Sequence, residues 1–212
     1  MSKEKFISNT DVFDTLGRGF DLMKSKFWFL MGITVITMIL GSIGNDDLFS
    51  LFIENMWSIS FLSLAYSFLI AGPIGIGYLW IMYLISNGKK VKFTNLFDLF
   101  ERNYINAVLA SILVTCIIVI GFIALIIPGI YFAVKLFFVN ILIIDKKMDS
   151  IQAIKASWKL TEGYFWTLLG LIVMYIPIII GGLLLLIIGI IPAVAWISAS
   201  QAVMYNSIQK EK

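Results

Sequence analysis

The feature that most constrains this chain is a series of unbroken apolar blocks. They run from Phe27 to Ile43, Ile59 to Ile85, Ile105 to Ile127, Pro128 to Ile144, Tyr164 to about Leu185, and about Ile187 to Tyr205. A helix rises about 1.5 Å per residue, so roughly 20 apolar residues cross the ~30 Å hydrocarbon core of a bilayer. Each block falls near that length. Hydrophobic residues make up 60% of the chain and charged residues 14%, whereas soluble domains carry about 25% charged residues. A soluble fold of 212 residues has no interior large enough to hide so many. Closed β-barrels also satisfy every backbone group in lipid, but their strands are short and alternate apolar with polar residues. These blocks are apolar on every side. The expectation is an all-α, polytopic membrane protein with six transmembrane helices. It forms one integral membrane domain over 1–212, with an amphipathic segment at 1–26 and a six-span bundle at 27–208. Spans five and six share one apolar stretch, in which Gly181-Gly182 and Gly189 to Pro192 both read as turns.

Charge placement orients the spans. Lys3, Lys5, Arg18, Lys24 and Lys26 precede span one, and Lys89, Lys90, Lys92 and Arg102 lie between spans two and three. Lys146, Lys147, Lys155 and Lys159 lie between spans four and five, and Lys210 and Lys212 follow span six. The opposite loops contain no Lys or Arg, and the longest carries Asp46, Asp47 and Glu54. The positive-inside rule then predicts a multi-pass protein with both termini in the cytoplasm. The net charge of +3 reflects this topology and implies no nucleic-acid partner. The first 26 residues are polar and include acidic side chains, unlike a secretory signal peptide. Phe27 to Ile43 has the character of a retained signal anchor. Cys116 is the single cysteine and cannot form an intramolecular disulfide. Lysine greatly outnumbers arginine and isoleucine is abundant, a bias that fits an AT-rich bacterial genome and hence a bacterial cytoplasmic membrane.

Three cytoplasmic-side segments share a pattern of an amphipathic stretch, an aromatic residue and then a span. The first sets Phe13, Leu16, Phe20, Met23 and Phe27 around Asp14, Arg18 and Asp21. The second places Leu96, Phe97 and Phe100 beside Asp98, Glu101 and Arg102. The third sets Ile151, Ile154 and Trp158 against Lys155 and Lys159, and opens with Asp149 and Gln152 at capping-box spacing. These segments predict three amphipathic helices, over 11–26, 94–103 and 149–162, at the cytoplasmic boundary. Pro73, Pro128 and Pro192 each precede the end of an even-numbered span, and proline breaks a helix interior but suits a first turn. Two readings follow. One is a threefold parallel pseudo-repeat of interfacial helix, outgoing span, helix break at proline and returning span, with an extra insertion near Asn45 to Ser58. The other is that cytoplasmic loops of membrane proteins are commonly amphipathic.

The run from Pro128 to Asn140, and the one from Asp149 to Leu171, carry a resemblance. Pro128, Gly129 and Ile130 lead a helix bearing Lys135. Ala153, Ser157, Trp158 and Thr161 precede Gly163, Phe165 and Trp166. This pattern resembles the YciC-type bacterial membrane proteins and the membrane domain attached to some glycerophosphodiester phosphodiesterases. The match is best over residues 89–208 and vague before that. The resemblance implies a six-span membrane domain. It implies no enzymatic role, because the phosphodiesterase catalytic domain has no counterpart in these residues.

Candidate chemistry is sparse. The chain has no histidine, the commonest general base and metal ligand, and no acidic residue lies inside a predicted span. The expectation is therefore no catalytic residue, no metal site and no cofactor. The glycines from Ala71 to Tyr78 lack the strand–loop–helix context and the Lys-Ser/Thr of a phosphate loop. Small and hydroxyl residues line span two (Ser60, Ser63, Ser67, Ala71), span three (Ala107, Ser111, Thr115) and span six (Ser198, Gln201, Tyr205), a pattern that suits helix packing. Lys135 is the exception to all of this. A straight helix puts it roughly 15 Å from Asp145, and a central lysine costs about 2.5–3.5 kcal/mol on insertion scales. Tyr131 shares its face one turn earlier. Lys135, Tyr131, Ser198 and Gln201 are therefore the ligand-binding candidates.

Three functions are compatible with these residues. One is a non-enzymatic module binding membrane lipids, a membrane-protein partner or a second copy in support of the cell envelope. A second is a small transporter or channel for an anionic or lipid-like solute that uses Lys135. The third, a membrane-embedded lipid enzyme, lacks catalytic groups.

Overall fold

The computed structural model describes residues 11–43, 56–184 and 186–211, and all regular structure among them is helical. The first amphipathic segment forms α1 (Val12–Ser25), joined through Lys26 to α2 (Phe27–Ser42) with a bend of 95°. α3 (Met56–Tyr66) passes through a π-helical turn (Ser67–Ala71) into α4 (Gly72–Ser86). The second amphipathic segment is a 3₁₀ turn (Phe93–Phe97) followed by α5 (Asp98–Arg102). α6 (Tyr104–Ala124), α7 (Ile126–Lys135) and α8 (Val139–Lys146) come next. The third amphipathic segment is α9 (Ser150–Leu160), and α10 (Phe165–Leu184) and α11 (Leu186–Glu211) complete the chain.

Among the described residues, Phe61–Ser86, Tyr104–Ala124, Ile126–Lys146 and Phe165–Leu184 are long and apolar enough to cross a membrane. The bent pair α1–α2 adds a fifth if it counts as one span. The expected boundaries agree with these helices to within a few residues. α2 alone has 16 residues and, at about 24 Å, falls short of the hydrocarbon thickness. α11 has 26 residues, but its second half carries Ser198, Ser200, Gln201, Asn206 and Ser207. Neither glycine motif ends α10, which continues past Gly181-Gly182 to Leu184. The expected insertion near Asn45 to Ser58 lies largely outside the described residues.

The three amphipathic segments are helical as expected, but they bury different faces: the second buries Leu96 and Leu99 and exposes Phe97 and Phe100, while the third buries Ser150, Ala153 and Ser157 and exposes Ile151. Asp149 caps α9, its carboxylate accepting from the Gln152 amide at 2.8 Å. That supplies one of the orphan donors at the helix start. α1 runs along α11, burying Leu16, Leu22 and Met23. The two backbones approach so closely at Gly19 that an added Cβ would sit 2.9 Å from the Ser200 Cα. The 3₁₀ turn packs on α4 in the same manner. A Cβ on Gly77 would lie 1.9 Å from the Leu96 carbonyl oxygen.

Two of the three prolines expected to break helices do not. Pro192 lies inside α11, and Pro73 sits in the first turn of α4, within one continuous helix from Phe61 to Ser86. The reason at Pro73 is local. Proline has no N–H to give the carbonyl one turn back, and the π turn just before it widens the helix. The Leu69 carbonyl accepts instead from the Tyr104 hydroxyl of α6, at 2.8 Å. Pro128 fits the expectation: Leu125 is extended (φ −170°, ψ 157°), and Pro128 falls in the first turn of α7.

The second half of α11 is the centre of the molecule. Ala199, Ala202, Val203, Met204, Tyr205 and Ile208 are fully buried, beneath α1, α4 and α10. Around that half the expected cytoplasmic segments and span ends converge. Asn206 donates to the Ser86 hydroxyl at 2.6 Å, and Tyr205 donates to Asp145 at 2.9 Å. Asn103 reaches the Met148 carbonyl at 2.7 Å.

Candidate functional site

The helix carrying Lys135 stops at Lys135 itself. Phe137 N–H bonds Val134 O at 3.4 Å and Val139 N–H bonds Leu136 O at 3.2 Å, so the α pattern tightens into a 3₁₀-type turn before α8 begins. The turn interrupts the straight helix expected between Lys135 and Asp145, although Ile126–Lys146 still forms one candidate span. The turn removes backbone groups from their usual partners, and a buried unpaired group costs about 1–3 kcal/mol. Two side chains take those places. The Ser157 hydroxyl donates to the Lys135 carbonyl at 2.8 Å and accepts from the Phe138 amide at 3.2 Å. Gln201 donates from Nε2 to the Phe137 carbonyl at 3.0 Å.

Above this turn the Lys135 ammonium lies between two aromatic faces. Its Nζ is 5.8 Å from the Tyr131 ring centroid and 5.6 Å from that of Trp158, and the residue is only 7% exposed. Tyr131 packs edge-on against Trp158 at 5.7 Å and beside Phe165 at 5.5 Å. A cation gains about 0.5–2 kcal/mol from such faces. Lys135 is also the last residue of α7, where positive charge meets the negative end of the helix dipole. These two contacts offset part of the cost of a lysine in so apolar a run.

Of the sequence candidates, Lys135, Tyr131 and Gln201 meet around the α7–α8 turn. Ser198 is buried on α11 near Gln201, and no contact joins it to Lys135. Ser157 and Trp158 complete the arrangement. The Ser-Trp pair ahead of span five was visible in the sequence, but its partner turn was not. The polar stripes are mixed: Ser67 donates to Ser63 O at 2.8 Å and Ser111 to Ala107 O at 2.9 Å within their own helices, whereas Gln201 and Tyr205 bond across to Phe137 and Asp145. Among the described residues no group of three His, Cys, Asp or Glu side chains comes together to hold a metal.

A second site lies between α1, α10 and α11. It is an open cleft of about 500 Å³ bordered by Phe20, Met23, Ile178, Gly181, Pro192 and Trp196. Phe20 and Trp196 pack with tilted rings 4.9 Å apart, and the Trp196 indole donates to the Leu16 carbonyl at 2.8 Å, fixing that wall. Its volume falls in the range of about 300–1,000 Å³ typical of small-ligand sites. None of its lining side chains is charged.

No family model, no curated protein and no solved structure matches the chain.

Proposed function

We propose that this chain is a six-span protein of a bacterial cytoplasmic membrane, with both termini in the cytoplasm. We further propose that it acts without catalysis as a lipid-binding module supporting the cell envelope. The observation that carries this reading is the apolar cavity beside α1, whose walls suit a hydrocarbon chain and offer a polar solute no partners. The Lys135 region gives the transport reading less support. Its ammonium is enclosed by rings, and its helix break is satisfied by Ser157 and Gln201. The resemblance to YciC-type proteins and to the phosphodiesterase-linked membrane domain is part of this proposal.

The functional test is retention of lipid. Protein extracted in a mild detergent should carry about one phospholipid per chain by mass spectrometry. Adding phospholipid back to delipidated protein should raise its melting temperature, because a ligand selective for the folded state stabilises it. No retained lipid and no thermal shift would refute the reading.

Topology has its own test. In a Cys116→Ser background, a cysteine at Ser50 should react with an impermeant thiol reagent in intact cells. A cysteine at Thr94 should react only after lysis. Labelling of both from outside would overturn the six-span arrangement.

A further inference from the structure

We infer that the cavity between α1, α10 and α11 holds an acyl chain of an anionic phospholipid whose phosphate pairs with Lys24. This deepens the lipid-binding reading above and rests on it. The chain-binding part follows from the walls. In a sequence so rich in leucine and isoleucine, this stretch is bordered instead by Pro177, Gly181, Gly182, Gly189, Pro192 and Ala193. These small or compact residues leave room where longer side chains would fill it. At Gly182 the space is already taken, since an added Cβ would lie 2.8 Å from the Gly189 carbonyl oxygen. At Gly181 it is open: an added Cβ meets no heavy atom within 4 Å. The α10–α11 pair is thus in close contact at Gly182, while Gly181, beside it on the border of the cleft, faces open space.

The headgroup part follows from charge. Phe20 forms a wall of the cavity, and the Lys24 ammonium lies 4.3 Å from the centroid of its ring. Lys24 is exposed, so a cation stands at the rim of an apolar cavity. A molecule with a hydrocarbon tail and a negative head matches both parts at once.

The probe is an equimolar mixture of dioleoyl phosphatidylglycerol and dioleoyl phosphatidylcholine, offered to delipidated full-length protein and read by native mass spectrometry. Wild type should favour phosphatidylglycerol by about fivefold, the contribution of one basic residue at an anionic membrane surface. Gly181→Leu fills the hollow and should abolish retention of both lipids while leaving the helical spectrum and melting temperature intact. Lys24→Gln should keep retention and remove the preference. Because Lys24 is exposed, that variant tests the inference even if Gly181→Leu does not fold. Wild-type retention by Gly181→Leu, or an unchanged preference in Lys24→Gln, overturns this inference and leaves the broader lipid-binding reading standing. Absence of lipid from wild type refutes both. A dimer that Gly181→Leu converts to monomer would show a second copy in the cavity and overturn the inference as well.

Discussion

Gly77→Ala should destabilise the protein by about 3 kcal/mol, the upper end of what overpacking costs. The new methyl group would lie 1.9 Å from the Leu96 carbonyl oxygen and 2.8 Å from its carbonyl carbon. Those are backbone atoms, so no side-chain rotamer can relieve the clash, and the 3₁₀ turn must lift off α4. Leu96 and Leu99, both buried, would lose their packing. The Trp80 indole would lose its 3.1 Å bond to Asp98. Gly75→Ala is the control, because a Cβ there meets nothing within 4 Å. It should be neutral or stabilising by up to about 1 kcal/mol, the helix preference of alanine over glycine. Thermal unfolding of the three proteins in one detergent decides the matter. Equal melting temperatures for Gly75→Ala and Gly77→Ala would show that the close approach at Gly77 is not present in solution.

Ser157→Ala should be nearly as damaging, at about 2–4 kcal/mol, because one hydroxyl serves two buried backbone groups that each cost about 1–3 kcal/mol when unpaired. Ser157 is fully buried, so water cannot readily replace it. Lys135→Met, a neighbouring change, separates the turn from the charge above it. It removes the ring contacts and the helix-end charge, which together amount to about 1 kcal/mol, and leaves the Ser157 bonds in place. The expected order of melting temperatures is wild type, then Lys135→Met, then Ser157→Ala. A Lys135→Met variant more stable than wild type would contradict this account and point to a charge retained for a ligand at a cost in stability.

The sequence made the helical elements legible because lipid imposes a length and polar segments mark the ends. Phe27, Tyr104 and Phe165 begin helices where the apolar blocks begin. The α7–α8 turn was not legible. Leu136, Phe137 and Phe138 contain no proline or glycine, and the groups that stabilise the turn arrive from Ser157 and Gln201, far along the chain. α8 was hidden for a related reason. Ile141, Leu142, Ile143 and Ile144 are buried in protein, yet their residue types are those that lipid also selects. The prolines misled in the opposite direction, since nothing at Pro73 announces that Tyr104 will supply its missing partner. Of the candidate site, the unusual residue Lys135 was visible, as was Tyr131 beside it. Trp158 was visible only as one half of a motif. The cavity beside α1 was not visible at all, because it depends on how Gly181 and Pro192 face one another.

The pairing of α1 with α11 also sets an order on how this molecule is made. Arg18 forms a 2.7 Å ion pair with Asp14 and donates to Ser207 at 3.4 Å, a partner 189 positions later in the chain. At the usual ~5–20 residues per second, α1 leaves the ribosome roughly 10–40 seconds before the surface it will cover exists. During that interval its apolar face needs a temporary host, and the bilayer surface is the nearest one. A nascent chain of this protein is therefore expected to pass through a stage with α1 resting on lipid. The helix leaves that surface only when α11 has been inserted, so a ribosome stalled before Ser207 should hold α1 accessible to protease or to surface-restricted labels.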